Sequence, residues 1–231
     1  MRIYIFFLAL VCLCGITATA QTNHQNSGWL FLMNNNKLSK KWGTHFDLQL
    51  RSSDDWSKLR NVLIRPGFTY FIDNRNDLTL GYLFTQTYAP SVSTLTEHRI
   101  WQQYIHKHKI GKINVNHRFR LEQRFIDKQS AEDVFAQRAR YFVRFLLPLQ
   151  TEANGFEKGF FVALQNEVFL NIQHKHELNG HIFDQNRAYA AAGYRFNRHM
   201  DVEAGYMSQF VKGAMNNTSN NIVQLAVYTR F

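Results

Sequence analysis

Beyond residue 21 the chain has no cysteine, and no apolar run there approaches the ~18 residues that a membrane-spanning helix requires. Both of its cysteines, Cys12 and Cys14, fall in the first 20 residues, so the remainder can build neither a disulfide framework nor a thiolate site. Proline is scarce, at three residues, and glycine stands at 12 of 231, which excludes collagen-like and low-complexity architectures. Acidic residues are also few, 17 against 27 Lys and Arg, for a net charge of +10. No phosphate-binding loop, zinc-protease motif or nucleophile elbow occurs.

The first 21 residues, MRIYIFFLALVCLCGITATAQ, have the form of a secretory signal: Arg2, an apolar run over Ile3–Val11, and Ala18-Thr19-Ala20 as a cleavage site. The bulky Val11 and Leu13 before the two cysteines argue against lipidation. Residues 1–20 are thus predicted to be removed, leaving 21–231 as one domain.

What is there in abundance is aromatic: 4 Trp, 10 Tyr and 20 Phe, in a chain whose mean hydropathy is negative. Alternation reconciles the two. In WGTHFDLQLR, Trp42, Thr44, Phe46, Leu48 and Leu50 share one face. In IVQLAVYTRF, Val223, Leu225, Val227, Thr229 and Phe231 face away from Ile222, Gln224, Ala226, Tyr228 and Arg230. Eleven strand-like segments can be read, near 27–35, 41–51, 58–72, 77–88, 97–107, 112–126, 134–147, 158–170, 183–196, 199–211 and 221–231. Short connections such as DNRND and FNRH alternate with longer ones such as APSVSTLTE and IQHKHELNGH, the ten-residue QTEANGFEKG being an exception. This pattern predicts an all-β fold, a transmembrane antiparallel up-and-down β-barrel of 10–12 strands. Even strand numbers are the bacterial rule, so either the segment around Trp29 is not part of the wall or a twelfth strand exists. Pro66 falls inside a segment and suggests a bulge; Pro148 falls at a strand end.

The two kinds of cation separate. Every lysine lies at or beside a turn, whereas thirteen of sixteen arginines lie within strand segments. Arginine keeps its charge and offers a rigid fork of donors, which suits a confined network with carboxylates. Arg118, Arg120, Glu122 and Arg124 share a face opposite Phe119, Leu121 and Phe125, and Arg138, Arg140 and Arg144 oppose Tyr141, Val143 and Phe145. Hairpin registers put Glu122 across from Arg138 or Arg140, Glu167 near Arg140, Glu97 near Arg120 or Arg124, and Arg99 near Glu122. A charge turned to lipid at mid-depth costs roughly 2–4 kcal/mol, so this face belongs in the lumen. The predicted lumen network is Arg65, Glu97, Arg99, Arg118, Arg120, Glu122, Arg124, Arg138, Arg140, Arg144, Glu167 and Arg187. Its function is open between a satisfied polar core that rigidifies a closed barrel and a lining for a narrow anion or polar-solute channel. A surface-interaction role and a lipid- or lipopolysaccharide-modifying enzyme are the alternatives. For the enzyme, His98 is the histidine nearest to the serines of the 91–93 loop. His174, His176 and His181 with Glu177 offer two ligands that point the same way, short of the three or four a metal needs. No catalytic residue, metal or cofactor is assigned. Positive charge spread over alternating faces, in place of one patch, argues against nucleic acid.

At SGWLFLMNNNKLSKKW, EHRIWQQ and RFRLEQRF the chain resembles the bacterial domain-of-unknown-function 2490 family of predicted outer-membrane proteins, over essentially all of 21–231. The resemblance implies a barrel in the bacterial outer membrane, surrounded by lipid and lipopolysaccharide, and brings no activity or catalytic residues. The final VYTRF is similar to the C-terminal signal read by barrel-assembly machinery, with Thr229 departing from the usual aromatic. Nothing in the sequence fixes the oligomeric state.

Overall fold

The computed structural model describes residues 21–89, 92–127, 132–150 and 155–231; the predicted signal, residues 1–20, lies outside them. Period-two alternation becomes eleven strands: β1 Thr22–Lys37, β2 Trp42–Ser52, β3 Leu59–Phe71, β4 Asn76–Ala89, β5 Val92–Ile110, β6 Ile113–Asp127, β7 Val134–Pro148, β8 Gly159–Gln173, β9 Phe183–Asn197, β10 Met200–Val211 and β11 Asn217–Arg230. Each pairs with its neighbour in sequence, and β1 with β11 completes a closed barrel. All pairings are antiparallel except this last one, in which Thr22 to Asn35 run parallel to Asn217 to Arg230. That parallel seam resolves the parity problem. The segment around Trp29 is a wall strand, and closure needs no twelfth, because an odd count is satisfied by one parallel pair.

The expected bulge at Pro66 is absent. Register runs unbroken from β2 through Phe46↔Pro66, and on the β4 side Ile64↔Phe84 and Gly67↔Gly81 keep the same alignment. The proline only removes a ladder donor. Register shifts occur elsewhere, at Arg51/Ser52, Thr87/Ala89, Gln137/Arg138, Phe169/Leu170 and Met200/Asp201. APSVSTLTE is not a long loop either: β4 and β5 continue their pairing as far as Ala89↔Val92.

The two faces of the wall differ as the alternation requires. Outward stand Trp42, Phe46, Phe68, Leu80, Phe119, Leu164 and Leu225, large apolar side chains left exposed by the fold. Aromatics gather towards strand ends on this face, where Trp42 meets Tyr70 at 4.8 Å, Phe125 meets Phe135 at 5.2 Å and Phe183 meets Phe210 at 6.2 Å between centroids. Inward stand Asp47, Arg65, Glu97, Arg120, Glu122, Arg138, Arg140, Glu167 and Glu203, all buried. An exposed apolar skin around a buried charged interior is the inverse of a water-soluble domain.

Two apolar clusters thicken the wall from inside. Trp101, fully buried, lies flat across β3 and β4 with Leu63 and Leu83. It can do so because Gly67 and Gly81 face it, and a Cβ on Gly81 would overlap the indole. Trp29, Tyr189, Ala191, Met207 and Ile222 form the second cluster across the seam.

Candidate functional site

The network is built strand by strand from β5 to β10. Glu97 accepts from Arg99 at 2.7 and 2.8 Å and from Arg124 at 2.6 and 3.2 Å. Arg99 also faces Glu122 at 3.6 Å. Glu122 accepts from Arg138 Nε and Nη2 at 3.0 and 2.7 Å and from Arg140 Nη1 at 2.5 Å. Arg138 spends its remaining Nη1 on Asp184 at 2.7 Å. Arg140 turns its Nε and Nη2 to Glu167, at 3.0 and 2.6 Å, and Arg118 reaches the same carboxylate at 2.6 Å. Glu97, Glu122 and Glu167 thus each hold two or more guanidiniums together, and the fork geometry of arginine makes such sharing possible.

Further pairs complete the lining. Arg144 donates to Glu203 at 2.5 Å, and the Tyr228 hydroxyl donates to the same residue at 2.9 Å. Arg65 donates to both oxygens of Asp47 at 2.7 Å, with His45 bridging Asp47 and Asn35. At the rim formed by the short turns, Arg195 and Arg230 share Asp201, and Lys107 pairs with Asp77. Asp47, Glu203 and Asp201 were not among the sequence-read candidates, although each lies on an inward position of an alternating segment and was legible by that rule. Asp184 was not legible, because it is out of phase with the inward Gln185 and Arg187 and meets Arg138 at the register shift between Phe169 and Leu170.

All twelve sequence-read residues face the interior, but not all are alike. Arg120 is not near Glu97; it donates to Gln103 Oε1 at 3.1 and 2.6 Å and lies 4.4 Å over the Trp101 ring. Arg187 lies 4.7 Å over Phe169, 5.0 Å over Trp29 and 3.9 Å from Glu167. Sequence reasoning left out Arg51, an inward side chain that donates to Gln49 and lies 3.8 Å over the face of Trp29.

Between this charged wall and a neutral one carrying Thr69, Thr79, Thr85 and Thr87 runs a cavity of about 730 Å³. Among the described residues its lining has twelve Lys or Arg against five Asp or Glu. At the opposite rim the connection between β8 and β9 turns over the mouth. Leu178 packs there on the inward-facing Ile126, Val134 and Ala136, and Asn179 is held by Asn171, Phe183 and Lys212. The other candidates for chemistry do not assemble. His98 faces outward, bonded to the Tyr82 hydroxyl; Ser91 and the side chain of Ser93 lie outside the described residues. His174 is bonded to the Phe135 carbonyl, and no three metal-ligating side chains converge among the described residues.

Comparison with known proteins adds family and fold. The family described as "Protein of unknown function (DUF2490)" matches residues 26–220. An uncharacterized protein of Methylorubrum extorquens is 25% identical over 231 residues, covering 97% of this chain and 96% of its own length. Among solved structures, the NanC porin superposes with a TM-score of 0.50 at 11% identity, over 85% of this chain and 90% of that one. LpxR from Salmonella typhimurium gives a TM-score of 0.46, also at 11% identity, over 93% and 92%.

Proposed function

The chain belongs to the family of proteins of unknown function DUF2490, and from that premise we propose that it is an outer-membrane barrel whose lumen admits small anions through a narrow, cation-lined path. The outward band of Trp42, Phe68, Leu164 and Leu225 suits hydrocarbon, with lipopolysaccharide as its neighbour in the outer leaflet. Phe231, exposed at the short-turn rim and stacked on His199, adds an aromatic to the edge of that band. The fold shared with a protein named as a porin supports a lumen that conducts.

The observation that carries the reading is the excess of cations in the cavity lining, twelve against five. Charge lining a confined path in a low-dielectric wall raises the local concentration of the opposite ion. The ion-pair network serves the same end by holding the guanidiniums in place, so that they neither collapse onto the wall nor close the path. Purified protein in planar bilayers is expected to show discrete conductance with an anion-directed reversal potential under a salt gradient. Arg140→Glu, which reverses a charge in the lining, is expected to move that potential towards the cation side. Silence at every voltage would overturn the channel and leave a closed barrel.

A further inference from the structure

Most lumen guanidiniums are matched to carboxylates; three, Arg51, Arg120 and Arg187, take their closest acceptor from an amide, and Arg51 and Arg187 share one aromatic platform. Arg51 finds its acceptor in Gln49, and Arg187 in Gln185 at 3.3 Å, with only a longer contact to Glu167 at 3.9 Å, a carboxylate that Arg140 and Arg118 already hold at 2.6 Å. The cation that shares the Trp29 ring with Arg51 is Arg187, so the two like charges stand close together. Arg65 in turn has both Asp47 oxygens on one Nη and no acceptor for its Nε among the described residues. Charge concentrated in this way is costly unless an anion compensates it.

The geometry is suited to such an anion. Arg51 and Arg187 stand over one ring, Trp29, at 3.8 and 5.0 Å from its centroid. Their guanidinium carbons are therefore no more than about 9 Å apart, close enough for one oxyanion to accept an N–H bond from each through different oxygens. Trp29 is itself fixed in the seam cluster with Tyr189, Met207 and Ile222, so the platform beneath the two cations is rigid. Both arginines line the cavity, and Gln49, Asn61 and Gln209 beside them add neutral hydrogen-bonding groups.

We propose that Arg51 and Arg187, held over Trp29, form a discrete oxyanion-binding subsite inside the lumen. The ligand is a small anion with at least two oxygens on one centre, a carboxylate or a sulfate-like group. A halide offers one acceptor centre where an oxyanion offers separated oxygens to two planar forks, and is expected to bind more weakly. The subsite deepens the anion reading above by naming the ion's geometry, yet it can exist in a barrel that does not conduct.

The test uses the refolded full barrel in detergent, titrated with sodium sulfate at ionic strength held constant by sodium chloride, with intrinsic tryptophan fluorescence as the readout. Saturable quenching or enhancement by sulfate, at least tenfold weaker in Arg51→Gln and in Arg187→Gln, is the expected result; Arg198→Gln, at an exposed turn outside the cavity lining, should leave it unchanged. Gln49→Glu supplies a carboxylate where Arg51 now meets an amide, adds no bulk, and should abolish the response even if the arginine variants fail to fold. A linear response, one that chloride reproduces, or one that survives Gln49→Glu would overturn the subsite. Sulfate binding in a barrel silent in bilayers would keep the subsite and remove the channel; anion-selective conductance without sulfate saturation would do the reverse.

Discussion

Replacing Glu122 by glutamine removes one negative charge from the most enclosed point of the lumen. The side chain is fully buried and accepts three N–H bonds, from Arg138 at 3.0 and 2.7 Å and from Arg140 at 2.5 Å. Glutamine has the same shape, but its single carbonyl oxygen serves one guanidinium while its amide N–H₂ confronts another, donor against donor. Hydrogen bonds to charged groups contribute roughly 1.5–3 kcal/mol each, and breaking a buried pair costs roughly 3–5 kcal/mol. The lower end applies, because Arg138 keeps Asp184, Arg140 keeps Glu167 and Arg99 keeps Glu97. A loss of about 3 kcal/mol corresponds to about a hundredfold in the folded-to-unfolded ratio. Urea unfolding of protein refolded into lipid vesicles, followed by tryptophan fluorescence and by gel mobility with and without heating, should register it as an earlier midpoint. Arg198→Ala, which removes an exposed turn pair with Glu157, is the control and should not shift it. An unchanged midpoint for Glu122→Gln would mean that water, not guanidinium, meets that carboxylate, and that the network does not brace the wall.

Other substitutions probe the wall itself. Gly81→Ala drives a methyl into the Trp101 indole and should destabilise the barrel by about 1–3 kcal/mol in the same urea assay, whereas a tolerant Gly81→Ala would show that Trp101 is free to move. Adjacent residues on β11 test which way the faces point. Leu225→Arg turns a charge to lipid and should cost roughly 2–4 kcal/mol in vesicles, while Gln224→Glu, facing the lumen in register with Trp29 and its two arginines, should fold with near-parental stability. Equal penalties for the two would contradict the assignment of inside and outside.

Much of this architecture was legible because a strand exposes its two faces alternately to two different media. The segments around Trp42–Leu50 and Val223–Phe231 declared their outward sides by residue type alone, and the Glu122–Arg138 and Glu167–Arg140 pairings followed from hairpin arithmetic. Arg120 escaped that arithmetic because its partners, Gln103 and the Trp101 ring, are neutral, and no charge rule points to them. Arg51 escaped for a related reason: its register partners on the two neighbouring strands are Trp29 and Asn61, neither of them a carboxylate. Strand parity misled because closure is a property of the whole sheet. Whether β1 joins β11 parallel or antiparallel depends on groups some 195 residues apart, such as Asn34 and Thr229, and no local pattern records it.

That junction gives the molecule a clasp. Ten of the strand pairs can zip up one after another as neighbours in sequence, whereas β1 and β11 must find each other after everything between them has been laid down. Their slanted parallel bonds hold slightly less per residue than the antiparallel ones around them. If the cylinder breathes, it should part along Ser27–Asn220 and Asn34–Thr229, and the amide protons there should be the first in the wall to trade with solvent.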